Sequence, residues 1–135
     1  MVTRLLVSYL LTAIVFFSID LLWLGVVAKE FYRRHLGGFL SDSVNWTAAI
    51  TFYLLNIIGI FIFAILPATE KESLLRAVVL GALFGFFTYA TYDLTNLATL
   101  KNWPMRVVII DIAWGIVLTA TVSGAGFVIL KWLSR

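Results

Sequence analysis

The sequence predicts an all-α integral membrane protein, a four-helix transmembrane bundle formed by a single domain, residues 1–135. Hydrophobic residues make up 62% of the chain and charged residues 13%, whereas soluble domains are about half apolar and about a quarter charged. The mean hydropathy is +1.03. Four apolar runs reach the length of about 20 residues that a helix needs to cross the hydrocarbon core. Each run must be helical, because a loop in lipid would leave backbone groups unpaired.

The predicted spans are residues 5–27, 46–66, 74–97 and 107–130. After the first span, "KEFYRRHLGG" combines aromatic and basic residues as an interfacial segment does. The second and third spans are separated by "LPATEKES", and the third and fourth by "KNWP". In "KNWP" we expect Asn102 to cap the last helix and Pro104 to lie in its first turn. Because the last two connections are short, we expect the spans that they join to be antiparallel neighbours.

The charge pattern indicates membrane lipid as a partner and argues against nucleic acid. The net charge is +3 and the pI about 9.5, but the ten basic residues are scattered between apolar blocks, which suits anionic headgroups. Without cysteine, and with His35 as the only histidine, disulfides, iron–sulfur clusters and multi-histidine zinc sites are excluded, and no cofactor is expected. The positive-inside rule assigns no orientation, since each side of the bundle carries five basic residues: Arg4, Lys71, Arg76, Lys131 and Arg135 on one, Lys29, Arg33, Arg34, Lys101 and Arg106 on the other.

Three aspartates fall at one depth in the predicted membrane. Asp20 lies about seven residues before the end of the first span, and Asp93 lies a similar distance or slightly less from the end of the third. Asp111 lies about seven residues after the "KNWP" turn. With a rise of about 1.5 Å per residue, all three lie within roughly 10 Å of the same membrane surface. An ionised aspartate at a helix centre costs about 2.5–3.5 kcal/mol, so we expect these side chains to face a polar pocket inside the bundle.

Stripes of small residues support that orientation for two of the acids. Residues four apart share a helical face, and small residues mark the faces where membrane helices pack closely. Steps of four along the third span give Gly81, Gly85, Tyr89 and Asp93, and along the fourth span Asp111, Gly115, Thr119 and Ser123. The first span shows no comparable stripe, so Asp20 is placed by depth alone.

Other polar and aromatic side chains are candidates for the same pocket. Trp23 and Trp114 each follow an aspartate by three residues, where they can shield the carboxylate and offer an indole N–H, or simply pack. If a metal ion is bound, the three acids are its expected ligands. The predicted ligand-binding set is Asp20, Asp93, Asp111, Asn96, Tyr89, Trp23, Trp114 and Asn56.

The motifs "DLLWLG", "TYDLTNLATLKNWP" and "DIAWG" resemble those of an uncharacterised bacterial family of small four-span membrane proteins, known as a domain of unknown function. The resemblance covers most of the chain. It implies a multi-pass protein of the bacterial inner membrane, and it supplies no activity, substrate or cofactor.

Three functions fit this pattern. The first is binding or transport of a proton, a cation or a small polar or cationic solute, because intramembrane acids commonly mark such pathways; four spans make a thin bundle, so a homodimer is compatible with it. The second is a structural or accessory membrane subunit. The third is a metal-dependent enzyme acting on a lipid or isoprenoid phosphate, in which Arg33, Arg34 and Arg106 would clamp the phosphate.

Overall fold

The computed structural model describes residues 1–135, and its regular structure consists of helices only. Four helices are long and apolar enough to cross a membrane: α1 (Val2–Val27), α3 (Trp46–Glu70), α4 (Leu74–Thr99) and α5 (Met105–Leu133). A short helix, α2 (Lys29–Leu36), follows α1. Each of the spans expected from the sequence lies inside one long helix. The predicted fold class, a bundle of transmembrane helices, is confirmed.

Local capping accounts for two of the helix starts. The Asn45 side chain accepts a hydrogen bond from the Ala48 N–H (3.1 Å) at the start of α3. The Ser73 hydroxyl accepts one from the Arg76 N–H (3.2 Å) at the start of α4. Each cap satisfies one of the four N–H groups that the first turn of a helix leaves unpaired.

The expected cap of the last helix was wrong. Asn102 has a positive φ of 60° and lies in the turn before α5, where an asparagine tolerates the left-handed conformation. The residue that flanks the helix is Pro104, whose carbonyl accepts from the N–H groups of Val107 (3.1 Å) and Val108 (3.3 Å). No side chain caps this helix, because Asn102 serves the turn instead.

Helix α5 is the centre of the bundle. It packs along α4, against α1 and against the second half of α3, and it buries a larger share of its residues than any other helix. The α4–α5 contact depends on glycine: a Cβ at Gly85 would meet the Gly115 carbonyl and the Thr119 side chain, with Oγ1 at 2.7 Å. Small residues therefore bring the two backbones together, as they do in many membrane helix pairs.

The apolar core lies on the other side of α5, where α1 and α3 meet it. Phe16 of α1 and Ile57 and Ile60 of α3 are fully buried against Leu118 and Val122 of α5. The backbone of α3 then widens into a single π-type turn at Phe61–Ile65. This turn is the part of α3 that packs against α4. A second such turn, Trp23–Val27, ends α1.

We predict that Gly85→Ala destabilises the bundle by about 1–3 kcal/mol, the usual cost of overpacking a tight core. The matched control is Gly25→Ala, because a Cβ at Gly25 meets nothing within 4 Å and the gain in helix propensity is the same in both variants. The measurement is the free energy of unfolding in mixed micelles titrated with a denaturing detergent. Equal stability of the two variants would contradict the packing described.

Candidate functional site

A cavity of about 440 Å³ lies on the side of the bundle that carries α2 and the α4–α5 turn. All five helices contribute to its wall, together with Leu40 from the segment after α2. Two carboxylates and several aromatic rings face it, and no lysine or arginine does. Its lining consists of Asp20, Leu24, Tyr32, Leu36, Leu40, Phe52, Tyr53, Thr88, Tyr89, Tyr92, Val107, Asp111 and Trp114.

Asp20 is held by two neutral donors. The side chain is only 4% exposed. Its Oδ2 accepts a hydrogen bond from the Tyr53 hydroxyl (2.9 Å), and its Oδ1 accepts one from the Trp114 indole N–H (3.1 Å). Burial of a carboxylate is costly unless its oxygens are paired, and α3 and α5 each supply one of these donors.

A stripe on α1 that the sequence reading missed places Asp20. Ser8, Thr12, Phe16 and Asp20 are spaced four residues apart, and all four are buried. Residues at this spacing lie on one face of a helix. Two hydroxyl residues in the stripe were a signal that this face turns toward the bundle.

The hydrogen-bond donor to Asp111 comes from the short helix α2 rather than from one of the long helices. Its Oδ1 accepts a hydrogen bond from the Tyr32 hydroxyl of α2 (2.7 Å), which in turn accepts one from the Trp23 indole N–H (3.2 Å). Trp23 and Trp114 stack with their ring centroids 4.2 Å apart and their planes 7° apart. Each tryptophan therefore serves the opposite acid: Trp114 binds Asp20, while Trp23 supports Asp111 through Tyr32.

Asp93 is adjacent to Asp111 but does not line the cavity. It is 0% exposed, and neither of its oxygens has a hydrogen-bond partner. Trp103 lies beside Asp93, and its indole N–H is also buried without a partner. Two adjacent carboxylates repel each other unless a proton or a cation lies between them.

The remaining residues of the predicted set divide into two groups. Tyr89 lines the cavity with the acids, whereas Asn96 and Asn56 do not. Trp23 acts through Tyr32 and the stack on Trp114 rather than in the cavity wall.

Two side chains that donate hydrogen bonds to the acids, Tyr32 and Tyr53, were absent from the predicted set. The position of Tyr53 in the sequence could have identified it, because it lies seven residues into α3, at the same depth as the acids. No sequence pattern could have identified Tyr32, because only the turn between α1 and α2 brings it over Asp111.

The third hypothesis, metal-dependent chemistry on a phosphate, finds no support in the geometry. No group of three or more His, Cys, Asp or Glu side chains is arranged to hold a metal ion, so Asp20, Asp93 and Asp111 do not converge as a ligand set. Arg33, Arg34 and Arg106, the expected phosphate clamp, are exposed and do not line the cavity. The acids form two separately held groups instead, Asp20 on one hand and Asp111 with Asp93 on the other.

The four apolar helices define a multi-pass membrane protein. Residues 5–128 match the family described as "Predicted membrane protein (DUF2177)", a domain of unknown function. The chain belongs to this family, as its motifs indicated. No match was found among curated proteins or solved structures.

The environment of Tyr32 gives a spectroscopic prediction. Burial, followed by the negative charge of Asp111, raises the pKa of the Tyr32 phenol above the ordinary value of about 10. The hydroxyl therefore stays protonated and continues to donate to Asp111 above that pH. The stability it contributes is fully present below pH 10 and is lost only as the pH rises toward the folded-state pKa.

We expect Tyr32→Phe to leave the tyrosinate absorbance of the folded protein unchanged in a titration up to about pH 11, one unit beyond the ordinary tyrosine pKa. The denatured proteins serve as the control, because there the variant must lose the absorbance of one tyrosinate. A loss of that size in the folded variant would show that Tyr32 ionises normally and that its buried bond to Asp111 is absent.

Proposed function

We propose that this protein binds a small organic cation in the cavity between Asp20 and Asp111, and that it does so in the bacterial inner membrane. The observation that carries the proposal is the balance of charge: two carboxylates line the cavity, and neither forms an ion pair. The one ion pair of the chain, Arg33 with Glu30 at 3.6 Å, is at the surface. Acids inside a membrane normally pair with a base or a ligand.

The donors around the acids support a cationic ligand. Tyr53, Trp114 and Tyr32 are neutral, so they satisfy hydrogen bonds and leave the negative charge in place. A positive ligand beside Asp20 and Asp111 would offset that charge in a setting where Coulomb forces are little screened.

The aromatic walls favour an organic cation over a bare metal ion. Tyr89, Tyr92, Phe52 and Trp114 line the same cavity as the acids. Aromatic ring faces attract ammonium groups and contribute about 0.5–2 kcal/mol each. A metal ion instead requires several oxygen ligands at short range, which the separated carboxylates do not provide.

Transport is the activity that such a site would serve, because it requires a binding site within the membrane. Asp93 lies behind the cavity, buried beside Asp111 and without a hydrogen-bond partner. A cation or a proton held near Asp111 would relieve the repulsion between these two acids.

We predict that Asp111→Asn and Asp20→Asn each weaken binding of tetramethylammonium about tenfold or more, equivalent to about 1.4 kcal/mol, because each removes a charge that faces the ligand. Asp93→Asn should weaken it less, because Asp93 does not line the cavity. The matched control is Asp42→Asn, which makes the same change at an exposed residue between α2 and α3 and should bind as the unmodified protein does. Calorimetric titration of the purified protein measures the affinities.

Saturable binding that is unaltered in all three variants, or no saturable binding of the cation, would refute the proposal. Uptake of labelled tetramethylammonium into proteoliposomes then separates a transporter from an accessory subunit. Uptake that is lost in Asp111→Asn and kept in Asp42→Asn supports transport, and binding without uptake rejects it.

A further inference from the structure

The cavity lining combines polar and apolar side chains. Asp20 and Asp111, with their tyrosine and tryptophan donors, form one part of the wall. Hydrophobic side chains supply much of the rest: Leu24, Leu36, Leu40, Phe52 and Val107. A compact, fully hydrated cation would leave this apolar surface uncovered, so the lining suits a ligand with a charged group and a hydrocarbon part.

A gap between α3 and α4 borders the cavity at Phe52 and Tyr92. The two helices meet at Gly59, where a Cβ would approach the Phe84 ring at 2.6 Å, and at Phe63, whose ring stacks on Phe84 with centroids 5.7 Å apart. Toward the cavity they separate, and residues 46–60 of α3 scarcely contact α4.

Side chains on both sides of this gap are open to the exterior of the bundle. Phe52 of α3 is 53% exposed and Tyr92 of α4 is 56% exposed, although both also line the cavity. Both belong to helices that span the membrane, so the exterior that they face is lipid. The cavity thus opens sideways into the bilayer.

The loop side of the cavity is bounded by α2. Tyr32 is hydrogen-bonded to Asp111, and Leu36 is buried against Trp103, Val107 and Val108. These contacts hold α2 over the part of the cavity next to Asp111, whereas Phe52 and Tyr92 leave the side between α3 and α4 half exposed.

We infer that the occupant of the cavity is a single-chain amphiphile with a cationic head group, which enters from the lipid between α3 and α4. The head lies between Asp20 and Asp111, and the chain leaves past Phe52 and Tyr92. This inference rests on the proposed cation site and adds the class of ligand and its route.

The test is photo-crosslinking in lipid vesicles with decylammonium that carries a diazirine at the far end of its chain. The expected label lies on residues that border the gap, within 52–59 of α3 and 84–92 of α4. Excess tetramethylammonium should remove it, because both cations compete for the same carboxylates. The double variant Asp20→Asn/Asp111→Asn should lose at least about tenfold of the label, because each single substitution alone is expected to weaken cation binding by about that factor. Asp42→Asn should lose none.

The neutral control is decanol with the same diazirine, which should label lipid-facing surfaces of all four spans without competition. If tetramethylammonium binds but the decylammonium label lies elsewhere, or resists competition, the lateral route is overturned and the cation site stands. If tetramethylammonium does not bind, both inferences fall. The competition arm uses the unmodified protein, so the test does not depend on a variant that folds poorly.

Discussion

Asp20 and Asp111 are carboxylates inside a membrane-spanning bundle, and the groups that hold them are neutral. Hydrogen bonds from Tyr53, Trp114 and Tyr32 pair their oxygens, yet no basic side chain offsets their charge. A hydrogen bond lowers the cost of burying a carboxylate but does not remove it. The arrangement of this half of the molecule follows from that need for donors, which α2, α3 and α5 meet.

The donors also determine how the helices come together. The stack of Trp23 on Trp114 joins the end of α1 to α5, and the Tyr32 hydroxyl ties α2 down onto Asp111. The π-type turn Trp23–Val27 follows Asp20 at once; such turns are frequent at functional sites because they redirect side chains within a helix. Further along the contact between α4 and α5, packing is governed by shape instead, with Gly85 against Gly115.

The fold could be predicted from the sequence because apolar length alone specifies a membrane helix. Counting residues from the ends of the spans also placed Asp20 and Asp111 at one depth, because the rise per residue of a helix is nearly constant. The inward face of each helix was harder to predict. The buried stripe from Ser8 to Asp20 was missed because it contains Phe16 rather than glycine. Local rules did not reveal that each tryptophan serves the other acid, or that Tyr32 covers Asp111, because these contacts join residues far apart in the chain. Asn56 and Asn96 had the right chemistry, but their side chains lie outside the cavity wall.

The most direct test of the account is a density map of the protein in lipid, determined by electron cryomicroscopy with tetramethylammonium present. We predict density for the cation between Asp20 and Asp111, enclosed by the rings of Tyr53, Tyr89 and Trp114. A basic side chain paired with either carboxylate, or a cavity filled by water alone at a saturating cation concentration, would contradict the claim that these acids hold an uncompensated charge for a ligand.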